Sequence, residues 1–147
     1  MAPLHFEDVE LGFRFETPSR TVTETDLVTF TGVSGDFNPL HTDAVFAADS
    51  IYGERIAHGA LVLALATGLR QRVGLFDGTA MGLLEIRRWR FRAPVLIGDT
   101  IRVVNEVTEL RETSKPDRGV MVQRVEVVKQ DDTVAAEGEL VILLRRR

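Results

Sequence analysis

The chain has 147 residues, the length of one ordinary domain, with 44% hydrophobic residues, no cysteine and a formal net charge of -4. This composition excludes a disulfide framework and a thiol nucleophile, and the acidic balance disfavours a general nucleic-acid binder. No apolar stretch approaches a membrane span; the longest, Ala60 to Leu69, is far too short. The opening MAPLHFEDVELG lacks a basic segment followed by an apolar run, so no secretory signal is expected and a reducing, cytoplasmic setting is.

In chain order, alternation from Phe13 to about Val22 predicts a strand. Thr23 and Asp26 have capping-box spacing and predict a short helix that ends near Gly32 or Gly35. Asp43 to Ala48 is expected to add a helical turn or two, and Gly53 to break it. From Gly59 the run ALVLALATGLRQRVG has no polar stripe until Arg70, the pattern of a buried helix. Four strands are then expected, about Gly82–Phe91, Ile101–Leu110, Val120–Val128 and Val134–Leu144. Gly98-Asp99, Lys115 to Gly119 and Gln130 to Asp132 supply their turns. With no internal repeat or low-complexity linker, residues 1–147 read as a single α+β domain.

The stretch from Val33 to Ala60, VSGDFNPLHTDAVFAADSIYGERIAHGA, is the most informative. Asp36 and His41 can both move protons. Pro39 disfavours a helical Asn38, so the link between the two is expected to be extended or turned. On a helix, residues at that spacing would point in nearly opposite directions, about 100° being turned per residue. A bent segment can bring them to one point. Taken alone, Asp36 reads as a turn residue, and His41 as a surface or hydrogen-bonded histidine.

SGDFNPLH followed by IAHGA resembles the hydratase motif of the MaoC-like family, which comprises (R)-specific enoyl-CoA hydratases and 3-hydroxyacyl dehydratases. Ser34, Gly35, Asp36, Asn38, Pro39, Leu40 and His41 fall in family order, and RFRAPVLIGD resembles the family's strand-turn region. The resemblance implies a hotdog fold, a curved antiparallel β-sheet wrapped around a long central α-helix, with two copies pairing as a homodimer or a multiple of dimers. It implies Asp36 and His41 as the catalytic pair and Gly59 as the oxyanion donor. Gly59 opens the apolar helix, where backbone N–H groups are unpaired and the dipole is positive. Ser34, Asn38, Pro39 and His58 are expected to support the catalytic loop. The implied activity is reversible addition of water to a 2-enoyl thioester carried by coenzyme A, or less readily by acyl carrier protein. No cofactor is expected beyond the coenzyme A of the substrate.

Phe37, Phe46, Ile51 and Tyr52 flank the motif and are candidates for the acyl pocket; ordinary packing explains them equally. Arg88, Arg90 and Arg92 would share one strand face and could hold coenzyme A phosphates, although a solvated charged face is the simpler reading. Trp89 and Phe91 have the opposite parity and are expected to pack on the core or a subunit neighbour. His41, Asp43, Asp49 and His58 match no zinc pattern, so no metal is expected. There is no GxSxG elbow and no dinucleotide fingerprint. Two other functions are open: a thioesterase of the same fold, against which the intact Asp-x-Asn-Pro-x-His pattern stands, and a non-catalytic partner subunit, which would not need the catalytic pair.

Overall fold

A computed structural model describes residues 1–147. Its strands are β1 (Arg14–Glu16), β2 (Arg20–Thr21), β3 (Ala80–Phe91), β4 (Thr100–Glu112), β5 (Arg118–Lys129) and β6 (Val134–Arg145). Its helices are α1 (Glu24–Ser34), α2 (Pro39–Thr42), α3 (Ala44–Ala48) and α4 (Gly59–Arg72). One antiparallel sheet runs β1-β4-β5-β6-β3, with β2 also paired to β4. No helix is long and apolar enough to cross a membrane.

The core forms where α4 lies on one face of this sheet. Leu61, Val62, Leu65, Ala66 and Leu69 of α4 meet Ile101, Val103 and Val107 of β4, Met121, Val125 and Val127 of β5, and Leu140, Ile142 and Leu144 of β6. The inward residues alternate along β4 and β5, as a pleated strand requires. Burying each large apolar side chain contributes about 1.5–3 kcal/mol. Trp89 packs against this core, as its parity predicts. Gly138 makes room for it: a Cβ there would lie 2.8 Å from the Trp89 ring and 2.9 Å from its Cα.

The four long strands and their turns match expectation, and so does the capping box: the Asp26 N–H reaches Thr23 Oγ1 and Asp26 Oδ2 accepts from the Thr23 N–H. Two expectations are corrected. The segment from Phe13 to Val22 is two short strands, because Pro18 has no N–H to give to the ladder. Thr17 bridges the break, its main chain and Oγ1 both bonding Val103. Second, α4 is not buried all round. Ala60, Ala64 and Gly68, spaced four apart, form an exposed stripe of small residues. Strand β3 lies where expected but is irregular. Arg88 takes a left-handed φ of 52°, and the pairings Arg87–Glu139 and Arg90–Glu137 leave Arg88 and Trp89 opposite Gly138 alone.

Candidate active site

The site begins where α1 stops. Gly35, at φ 74°, caps the helix with its N–H on Thr31 O, a conformation that favours glycine. Ser34 Oγ donates to Phe30 O at 2.7 Å and accepts the Asp36 N–H at 3.1 Å. Asp36 Oδ1 accepts the Asn38 N–H. Asn38 is extended, with φ -50° and ψ 130°, and its Oδ1 accepts the Leu40 N–H at 2.9 Å. The bend expected before Pro39 is therefore present. The link is not extended throughout, however: Pro39 opens the one-turn helix α2, which carries His41. Proline suits a first helical position because that N–H has no intrahelical partner in any case.

This bend brings His41 Nε2 to 4.0 Å from Asp36 Oδ2. The gap exceeds a hydrogen bond, so both groups can face one reacting molecule. His41 Nδ1 lies 2.7 Å from the Ile56 carbonyl oxygen, which can only accept. Nδ1 therefore carries a proton, and the Nε2 of a neutral His41 presents its lone pair towards Asp36. The Asp36 carboxylate is half exposed, while the His41 ring is nearly covered.

His58 sits behind the pair at 2% exposure. Its ring stacks on His41 with centroids 3.8 Å apart and makes an edge contact with Phe30. His58 Nε2 is 3.2 Å from both the Asp36 carbonyl oxygen and Thr31 Oγ1, so it donates its proton there. Its buried Nδ1 has no hydrogen-bond partner in the chain. Burial holds the His58 pKa below the ordinary histidine value, and the nearby His41 adds to the depression. The Asp36 carbonyl and carboxylate oppose both.

Asp36, His41 and His58 each bring one potential ligand atom to within 4.8 Å of the others. The imidazoles are stacked, with planes only 26° apart, so their nitrogens lie side by side rather than converging. His58 Nε2 is also engaged as a donor. The arrangement suits proton transfer better than metal coordination. Asp43 instead caps α3, accepting the Val45 and Phe46 N–H groups.

Two hollows flank this centre. One, of about 360 Å³, contains His41 with Val28, Thr31, Phe37 and Arg55. The other, of about 390 Å³, contains Gly59 with Tyr52, Ile56, Val62, Phe91 and Arg92. Gly59 is the first residue of α4, as predicted, so its N–H has no acceptor within the helix. The Phe91 ring covers its Cα: a Cβ at Gly59 would lie 2.7 Å from Phe91 Cζ. Of the four candidate pocket residues, Phe37 lines the first hollow and Tyr52 the second, while Phe46 and Ile51 are exposed and line neither. Ile56, Val62, Phe91 and Thr31 had no local signal for these roles. Their contacts are made across long sequence separations.

Arg88, Arg90 and Arg92 border one open cleft of about 330 Å³ together with Arg124, Glu137 and Glu139. Arg88 pairs with Glu139 at 3.6 Å and Arg92 with Glu137 at 2.7 Å. Arg92 borders both this cleft and the Gly59 hollow.

Comparison with known proteins agrees with this geometry. Residues 8–131 match the family model described as MaoC like domain. A long helix against a curved antiparallel sheet is the hotdog fold, and the chain belongs to the MaoC-like family within it. The chain is 40% identical to Protein MaoC of Klebsiella aerogenes over 78% of its own length, yet spans only 33% of that protein. It is 32% identical to an (R)-specific enoyl-CoA hydratase of Aeromonas caviae, over 81% of this chain and 84% of that one. The crystal structure of the monoamine oxidase regulatory protein from Archaeoglobus fulgius superposes with a TM-score of 0.92 at 37% identity, covering 99% of this chain and 96% of that one.

The buried His58 makes stability depend on pH. Its folded pKa is depressed, so the unfolded chain binds the proton more readily, and its contribution is complete above the unfolded value of about 6.5. It is lost as pH falls through the folded value. The urea midpoint of the wild type should therefore fall more steeply below pH 6.5 than that of His58→Asn. Parallel profiles would show that His58 carries no such linkage.

Proposed function

We propose that this chain is a hydro-lyase that adds water reversibly to a 2-enoyl-CoA, giving the (3R)-3-hydroxyacyl-CoA. The observation that carries the reading is the facing pair of Asp36 and His41 beside the start of α4. Water held between the two side chains gives its oxygen to the β-carbon. One side chain takes a proton from that water, and the pair returns a proton to the α-carbon, so both end each turnover as they began. Negative charge gathers on the thioester oxygen as the enolate forms. The Gly59 N–H, at the positive end of the helix, can receive it. The named activity of the Aeromonas caviae relative supports this assignment. A thioesterase would need no proton for an α-carbon, and a non-catalytic subunit would need neither Asp36 nor His41.

The chemistry needs no redox group, and coenzyme A enters only as part of the substrate. Arg92 borders both the Gly59 hollow and the arginine cleft. This supports a coenzyme A arm that runs from the thioester past Arg92 to phosphates at Arg88 and Arg90, in preference to an acyl carrier protein. One core cluster drawing on residues from Val9 to Leu144 supports a single domain over 1–147. The cysteine-free composition accords with a cytoplasmic location.

A homodimer, or a multiple of dimers, is the assembly this reading carries. β3 is a sheet edge of 12 residues, with Leu83 and Leu84 at least half exposed and Ile86 close behind. A long apolar edge with unpaired backbone groups calls for a partner, and the exposed Ala60-Ala64-Gly68 stripe of α4 offers a second apolar face.

Three outcomes follow from this reading. Asp36→Asn and His41→Ala should each lower turnover by on the order of a hundredfold or more with the fold retained; near-wild-type rates in either folded variant would remove the assignment. Arg90→Ala should raise KM several-fold for an enoyl-CoA and leave KM for the matching enoyl-pantetheine unchanged. An equal effect on both substrates would move the phosphates elsewhere. Light scattering should give at least twice the chain mass, and a stable, active monomer would contradict the assembly.

A further inference from the structure

Arg70 stands apart from the other arginines. It lies in the last turn of α4 and reaches beneath the sheet. Its Nε donates to Asn105 Oδ1 at 2.7 Å, and its Nη2 donates to Gln123 Oε1. Both amides are fully buried, at 0% exposure, in inward positions otherwise held by Ile101, Val103 and Val107 on β4 and by Met121, Val125 and Val127 on β5. Each amide aims its oxygen at the guanidinium. Their NH2 groups find weaker partners, Val103 O at 3.4 Å and the Met121 sulfur at 3.6 Å.

This cluster solvates a cation without neutralising it. No carboxylate makes an ion pair with Arg70, and burial, with no charged partner to offset it, pushes its pKa down to about 10. The group is still fully charged at neutral pH. The C-terminal carbonyls of α4 supply a partial negative charge of roughly half a unit, and the side chain is only partly covered, so its remaining N–H groups are open to water or a ligand. A guanidinium has five N–H donors, and the chain uses two of Arg70's. The side chain borders a small hollow of about 70 Å³ whose other walls include Phe15, Thr67, Phe76, Ala80 and Ile142. A cation and two neutral amides, drawn from three elements, are costly to place in a core unless the charge has a use.

We propose that the Arg70–Asn105–Gln123 cluster is a binding site for a carboxylate, received in the hollow between Thr67 and Phe76. A planar guanidinium with free N–H groups matches a carboxylate in shape and charge. The carboxylate can come from a free small acid or from the far end of an acyl chain. Helix geometry favours the second source. Gly59 and Arg70 are eleven residues apart, so at about 100° per residue they fall within roughly 20° of the same helix face. Leu63, partly buried, lies between them on that face. The rise from Gly59 to Arg70 is about 16 Å. A thioester at Gly59 and a terminal carboxylate at Arg70 would thus occupy the two ends of one helix face. This second source rests on the proposed hydratase reading; the carboxylate site itself does not.

The test is made by binding. Wild-type protein is titrated calorimetrically with pairs of saturated acyl-CoAs of equal length, one ending in a carboxylate and one in a methyl group, over a series of lengths. At the length that reaches Arg70 the carboxylate-ended ligand should bind at least tenfold more tightly. Arg70→Met should abolish that preference, and Arg70→Lys should keep part of it. In parallel, Tm is followed in acetate at constant ionic strength. A rise in the wild type that is absent in Arg70→Met, without any acyl-CoA preference, assigns the site to a free acid. No preference at any length together with no acetate-dependent rise overturns the site, a result that needs the wild type alone. A protein that shows the preference yet hydrates no enoyl-CoA would fail the proposed activity and keep the site. One that hydrates methyl-ended substrates without showing the preference or the rise would do the reverse.

Discussion

The hydrogen bond from His41 Nδ1 to the main-chain oxygen of Ile56 joins the two halves of the site, the Ser34–Thr42 bend and the segment that leads into α4. A second bond, from the Ile56 N–H to Leu40 O, runs between the same two segments, so together they form a clamp. The clamp sets the tautomer of His41 and therefore which nitrogen faces Asp36. It also ties down the chain three residues before Gly59, the first residue of α4. Without this bond the imidazole could rotate, and the 4.0 Å approach to Asp36 would not persist. His58 reinforces the clamp from behind. It stacks on the ring of one member of the pair and bonds the backbone of the other.

α4 is the axis to which the rest is referred. Its inward face fills the sheet, its first N–H faces one hollow, and its last turn carries a charge into another. A helix this apolar forms because the sheet covers one side. Its small-residue stripe, with the exposed β3 edge, leaves apolar surface of the kind that assembly covers. Phe91 links the two ideas, since it belongs to that edge strand and lies over Gly59.

Much of this was legible in local sequence because local physics decides it. The Thr23–Asp26 capping box and the helix end at Gly35 are short-range hydrogen-bond patterns that formed where the sequence placed them; Asp43, expected within the next helical turn, instead caps it. Pro18 was visible too, yet the alternation around it hid the break, because periodicity does not count ladder donors. The position of His41 on a helical turn was missed because Pro39 restricts the residue before it while favouring a helix after it. Arg88, Arg90 and Arg92 border one cleft, as their parity implied, but the left-handed φ of Arg88 is one that sequence does not announce for arginine. The parts with no local signal are pairings across the chain: Thr31 with His58, Phe91 over Gly59, and Arg70 with Asn105 and Gln123.

The proposed work of Asp36 and His41 is to move water across a carbon–carbon double bond and leave the thioester intact. The most direct measurement incubates purified protein with a panel of 2-enoyl-CoAs, following loss of the conjugated double bond and, separately, release of free thiol. The double bond should be lost to an equilibrium with the (3R)-3-hydroxyacyl-CoA, with no thiol released. Thiol release at the rate of substrate loss, or inertness towards every chain in the panel, would contradict that role.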